Sequence, residues 1–142
     1  MIRPAIALLV GWGLLAGCES SLPVTANGVV VGTWGGDDGG LIADDTSGHT
    51  HIGCTYGNVH RPIVADAQGH FDVAGEYNIT AYPVDRGIFH PALFTGSVGG
   101  RTMTLTVTLS DTAVVLGPVH LTFGREPRMQ VCPICRRAPG GR

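Results

Sequence analysis

The residue pattern predicts an all-β chain folded as a small antiparallel β-barrel of about eight strands, with a β-sandwich as the alternative. Three observations carry this. Arg101–Ser110 alternates strictly: Met103, Leu105, Val107 and Leu109 point one way and Thr102, Thr104, Thr106 and Thr108 the other, as in a strand buried on one face. Nothing from Gly28 onward shows the 3.6-residue apolar repeat of a helix. Short apolar segments recur instead at close, regular spacing, cut by Gly, Asp, Asn and Ser, and 22 glycines in 142 residues suit tight turns and sharply curved strands.

In chain order, Arg3 precedes an uncharged run from Ala5 to Leu15, and Leu14-Leu15-Ala16-Gly17-Cys18 closes it. This is a basic n-region, a short h-region and a small-residue processing site. The run is too short to cross a bilayer, which takes about 20 residues. Leu-Ala-Gly-Cys resembles the lipobox of bacterial lipoproteins. That resemblance implies that residues 1–17 are a signal peptide, that Cys18 becomes the first residue of the mature chain, and that it is acylated. Glu19 after the cysteine resembles lipoproteins sorted to the outer membrane, facing the periplasm. Several acyl chains anchor stably where one would be marginal. Residues 18–27 read as a tether, polar and without periodicity.

The barrel domain is expected over 28–126. Val29–Gly35 and Gly40–Asp45 form a first pair through Gly36-Asp37-Asp38-Gly39. After the turn Thr46-Ser47-Gly48, Ile52, Cys54 and Tyr56 alternate with His49, His51, Gly53 and Thr55 in one strand. Asn58–Ala65 is expected to pair, across Ala67-Gln68-Gly69, with the alternating run His70–Ile79. Tyr82–Pro91 holds two prolines and a glycine and reads as the longest loop. Ala92–Val98 and Arg101–Ser110 join through Gly99-Gly100, and Ser110-Asp111-Thr112 turns into Ala113–Leu116 and then Val119–Arg125. The expected interior is Val29, Val31, Ile52, Phe71, Val73 and Tyr77, continued by Phe94, Val98, Met103, Leu105, Val107 and Leu109. Residues 127–142 form a tail rich in Cys, Arg and Pro.

Gly32-Thr33-Trp34 on the first strand resembles the Gly-x-Trp signature of lipocalins and avidins. In those calycin barrels the tryptophan plugs one end and stacks on an arginine from the last strand. The resemblance makes Trp34 and Arg125 a barrel-closing pair, in which a guanidinium on an indole face gains cation–π attraction. The wider string, Gly32-Thr33-Trp34-Gly35-Gly36, then Phe71–Tyr77, then Thr102–Thr112, resembles a group of uncharacterised bacterial lipoproteins.

Charge narrows the partners. The chain has no lysine, and after removal of residues 1–17 eight arginines face eleven acids, a net charge of −3. Residues 24–124 hold only Arg61, Arg86 and Arg101 against nine acids. Such a body does not suit nucleic acid, whose phosphates demand clustered positive charge. An exported chain meets an oxidising compartment. With Cys18 acylated, Cys54 bridged to Cys132 or Cys135 would tie the tail to the barrel, and Cys132 is preferred. Closing so long a loop stabilises by about 3–4 kcal/mol in the chain-entropy account.

Other chemistry-bearing residues have plain explanations. Cys132-Pro133-Ile134-Cys135 lacks the following helix that lowers a redox thiol's pKa, and it supplies only two of the four ligands of a structural zinc. His49 and His51, two apart on a strand, share a face about 7 Å apart, with no third metal ligand nominated by the sequence. Asp37, Asp38, Asp44 and Asp45 do not follow a calcium-loop spacing and suit turns. No nucleophile elbow or phosphate loop occurs. No cofactor or metal is expected. The expected function is a non-enzymatic, membrane-anchored lipoprotein of the envelope that binds a small apolar ligand or serves a structural role. The alternative is a protein-interaction module, such as a periplasmic enzyme inhibitor, with Tyr82–Pro91 as contact surface. A third reading, a metal- or thiol-dependent enzyme, rests on His49, His51 and the Cys-x-x-Cys.

Overall fold

Alternation and turn chemistry resolve into eight strands in the computed structural model, which describes residues 22–132. They are β1 (Gly32–Gly35), β2 (Gly39–Ala43), β3 (Gly48–Ile52), β4 (Thr55–Val59), β5 (His70–Asn78), β6 (His90–Gly99), β7 (Thr102–Leu109) and β8 (Val115–Phe123). They run in chain order around a closed barrel, each antiparallel to its neighbours. β8 returns to β1, with Trp34 opposite Phe123 and Gly35 opposite Thr122. Closure removes both sheet edges, and the architecture is a barrel rather than a sandwich.

The period-2 pattern sends Met103, Leu105, Val107 and Leu109 inward as expected, with Phe71, Val73 and Tyr77 from β5 and Phe94 and Val98 from β6. Trp34, Tyr77, Phe94, Leu105 and Leu109 are each 0–1% exposed. A hole wide enough for water would leave accessible area on the side chains around it. The interior at these layers is therefore filled by side chains, as an eight-stranded barrel permits. Each large apolar side chain buried in this way stabilises by roughly 1.5–3 kcal/mol.

Three local expectations are corrected. In the first segment Val30 is fully buried, whereas Val29 and Val31 are half-buried. Residues 28–31 do not extend β1. They run antiparallel to 63–65, with Val30 N–H donating to Ile63 O at 2.9 Å and Ala65 N–H to Gly28 O at 2.9 Å. Alternation counted back from buried Trp34 selects Val30, four residues earlier, so Val29 and Val31 are out of phase with the core face; Gly32, at φ +91°, marks where β1 begins.

The second correction concerns 49–65. The expected single strand through Cys54 is a hairpin: Ile52 faces Thr55 across a two-residue turn, Gly53-Cys54, with Gly53 at φ +57°. β4 then ends at Val59, and it meets β5 only through Tyr56, Gly57 and Asn58. The third concerns the last strand. Ala113–Leu116 and Val119–Arg125 are not separate elements, because β8 runs from Val115 to Phe123 with a bulge where Leu105 faces Val119 and Val107 faces Leu116. The extra residue falls at Gly117-Pro118, and a bulge is where a strand tolerates a residue without an N–H.

Candidate functional site

The outer face of β2–β4 and the loop 79–89 hold a cluster of polar and aromatic side chains. The register sets Ile42, His49 and Asn58 in one cross-strand row and Gly40, His51 and Tyr56 in the next. Strand spacing fixes the backbone positions of His49 and His51, but their rings lean together, centroids 4.9 Å apart and Nε2 to Nε2 3.0 Å. His49 Nδ1 lies 2.7 Å from Asn58 Oδ1. An amide oxygen only accepts, so His49 carries its proton on Nδ1 and presents the Nε2 lone pair toward His51. Burial, and then the neighbouring His49, push the His51 pKa below its ordinary 6.5. The Tyr56 ring lies 5.7 Å from His51 and 5.6 Å, edge-on, from Phe89.

Asp85 organises the adjoining loop. Its Oδ2 accepts from the Tyr56 hydroxyl at 2.7 Å, and its Oδ1 accepts from Asn78 Nδ2 at 2.8 Å and Gly87 N–H at 2.7 Å. The Gly87 N–H first, and the Tyr56 hydroxyl next, hold the Asp85 carboxyl below its ordinary 3.8. Hydrogen bonding to that carboxylate is the main reason the Tyr56 pKa is raised. Asn78, fully buried at the end of β5, accepts from Thr80 N–H at 2.8 Å with its own oxygen. With its backbone tied in this way, the loop leaves Tyr82, Val84 and Ile88 exposed.

Cys54 and Cys132 are joined in a disulfide with Cα atoms 5.6 Å apart and a sequence separation of 78. Cys54 enters it from the β3–β4 turn rather than from a strand. The tail reaches it along the β1–β2 loop, where Asp38 N–H donates to Arg128 O at 2.8 Å and Arg128 N–H to Gly36 O at 2.9 Å. That path lays Pro127 and Met129 beside His49 and His51, around an apolar recess of ≈ 180 Å³ shared with Gly40 and Ile42. A second recess, ≈ 420 Å³, opens between Met129, the disulfide, Tyr56 and the loop at Tyr82.

Trp34 and Arg125 are not stacked on each other. The Trp34 indole is buried, donates from Nε1 to Val31 O at 3.0 Å, and meets Phe123 edge-on at 5.3 Å between centroids. Arg125 pairs instead with Asp37 at 2.7 Å, and the guanidinium on an aromatic face is that of Arg101, 4.8 Å from the Phe123 centroid. The role expected of an arginine belongs to Phe123, whose ring also packs against Gly32, where a Cβ would come within 2.5 Å of it.

The acids behave as turn residues. Asp44 Oδ1 accepts from the N–H groups of Thr46 and Ser47, each at 2.7 Å. Asp38, at φ +65°, keeps Oδ1 buried without a hydrogen-bond partner. A polar recess of ≈ 760 Å³ lies elsewhere, on β6–β8, walled by Ser97, Thr104, His120 and Arg125. Cys18, where acylation is expected, and Cys135 lie outside the described residues. The parts of the cluster that sequence reasoning missed are Asp85, Asn78 and Met129. Asp85-Arg86-Gly87 carries a turn signal, but nothing local to Met129 points to the histidines. Comparison with protein families, curated proteins and solved structures finds no match to this chain.

Proposed function

We propose that this chain is a non-enzymatic lipoprotein of the bacterial envelope, anchored through Cys18 in the outer membrane and facing the periplasm. It works by presenting its outer surface to an envelope protein, with the barrel as a rigid mount. The packed interior carries this reading. With Trp34, Tyr77 and Phe94 at 0–1% exposure, the barrel has no room at their level for an apolar guest. The loop 79–89 supplies the contact surface: Tyr82, Val84 and Ile88 are exposed, and Asp85 anchors the backbone beneath them. A loop ordered before binding loses less entropy when it docks. Gly-x-Trp on the first strand of a closed eight-stranded barrel supports kinship with lipocalins. The acidic body supports a protein rather than a nucleic-acid partner.

Trp34 is the reporter for the test, because Trp12 leaves with the signal peptide. The mature protein is titrated with a panel of fatty acids and lipids while Trp34 emission and the thermal midpoint are followed. Neither is expected to move. A saturable change in both would make the barrel a ligand carrier and overturn the reading. The anchor has its own measurement: mass spectrometry of the native protein is expected to find acyl chains on an N-terminal Cys18, and a bare thiol or a retained leader would refute it.

A further inference from the structure

Outside the loop surface, one group of side chains has the chemistry of a ligand set. His49 and His51 turn their Nε2 atoms toward each other at 3.0 Å on the solvent side of β3. The Nδ1–H of His49, donated to Asn58 Oδ1, fixes the ring and leaves the Nε2 lone pair, which accepts from His51 Nε2–H in the metal-free protein, as the donor to an ion, the arrangement in which metal-ligating imidazoles are held by an outer partner. At metal–nitrogen distances near 2.0 Å, nitrogens 3.0 Å apart subtend about 97° at a shared ion, so both rings reach one metal with little movement.

The third group comes from far along the chain. Met129 lines the same small recess as both histidines. It is brought there by the tail strap that Arg128 pins to the β1–β2 loop and the Cys54–Cys132 bridge secures. Imidazole suits copper in either oxidation state, and a thioether selects copper(I) over zinc. No carboxylate or cysteine joins the two histidines in a group of three metal-binding side chains among the described residues, so the soft sulfur decides the preference.

We infer that His49, His51 and Met129 form a site for a single copper ion on the outer face of the barrel. The ion takes one nitrogen from each imidazole and the Met129 sulfur, and the side open to solvent leaves a position for water or a partner's ligand. On binding, His51 keeps a neutral ring by carrying its proton on Nδ1, so the site needs no oxidant or reductant. The site goes beyond the docking reading and stands or falls separately from it.

The test uses the full chain with its disulfide intact and its free thiols blocked with maleimide. Titrated with copper(II) sulfate, it is expected to bind one ion per chain, with an axial electron-paramagnetic-resonance spectrum split by two nitrogens. His49→Ala and His51→Ala should each weaken binding at least tenfold and remove that splitting, whereas His70→Ala should change nothing. Against a copper(I) chelator, with ascorbate as reductant, Met129→Leu should lose about tenfold in copper(I) affinity. Circular dichroism of each variant confirms that the barrel is intact. Fewer than one copper per chain, or unchanged binding by the His49→Ala/His51→Ala double variant, would overturn the site. Equal copper(I) affinity in Met129→Leu would overturn its three-ligand form.

Discussion

The Phe123 ring sits between an indole and a guanidinium, with Trp34 edge-on at 5.3 Å and Arg101 at 4.8 Å. Each contact has a different worth. The apolar packing on Trp34 is the large one, and Phe123→Ala is expected to cost about 3 kcal/mol and shift Trp34 emission to the red as water reaches the indole. The exposed cation–π contact is smaller, and Arg101→Ala should cost at most about 1 kcal/mol. Arg125→Ala breaks only an ion pair with Asp37 and should leave Trp34 emission unchanged. Equilibrium denaturation followed by fluorescence measures all three. On the opposite side of the interior, the Tyr77 hydroxyl reaches Thr55 Oγ1 at 3.0 Å, so Tyr77→Phe should lose about 1 kcal/mol.

At the scale of an element, the loop 79–89 depends on one carboxylate. Asp85 is held below its ordinary value of 3.8, so its hold on the loop is complete above that pH and is lost as pH falls through the lower folded value. The amide resonance of Gly87, which donates to Asp85, should report a titration with a midpoint below 3.8, and Asp85→Asn should abolish it. The β3–β4 turn is a second element decided by one residue. Gly53 at φ +57° takes a conformation that costs an L-residue roughly 1–2 kcal/mol, so Gly53→Val should destabilise by about that much. It should also strain the position of Cys54 in the bridge, and hence slow reoxidation after reduction.

For the whole molecule, closure and the disulfide act on different states. Eight strands paired in a ring hold the native barrel without the bridge, since β1 and β8 are hydrogen-bonded to each other directly. The bridge restricts the unfolded chain over 78 residues. Cys132→Ser is therefore expected to leave the circular dichroism spectrum unchanged while lowering unfolding free energy by about 4 kcal/mol, read from denaturant midpoints. A variant unable to fold at all would show instead that the strap at 125–132 is needed to complete the barrel.

The amino-acid sequence by itself determined the all-β class, the strand faces of β5, β6 and β7, and the pairing of Cys54 with a cysteine of the tail, leaving Cys132 and Cys135 both open. Those follow from period-2 alternation, which is a local property, and from the scarcity of thiols; the bridge itself selects Cys132. Only the tertiary structure decided the rest. Residues 28–31 pair with 63–65 instead of continuing β1, because hydrogen bonds between segments so far apart in the chain hold them there. Phe123 rather than Arg125 meets Trp34, because strand register and the bulge at Gly117-Pro118 set which residue of β8 arrives there. Met129 stands beside His49 and His51 because a bridge between distant residues routes the tail past them, and proximity made by a long loop leaves no periodic trace in the chain.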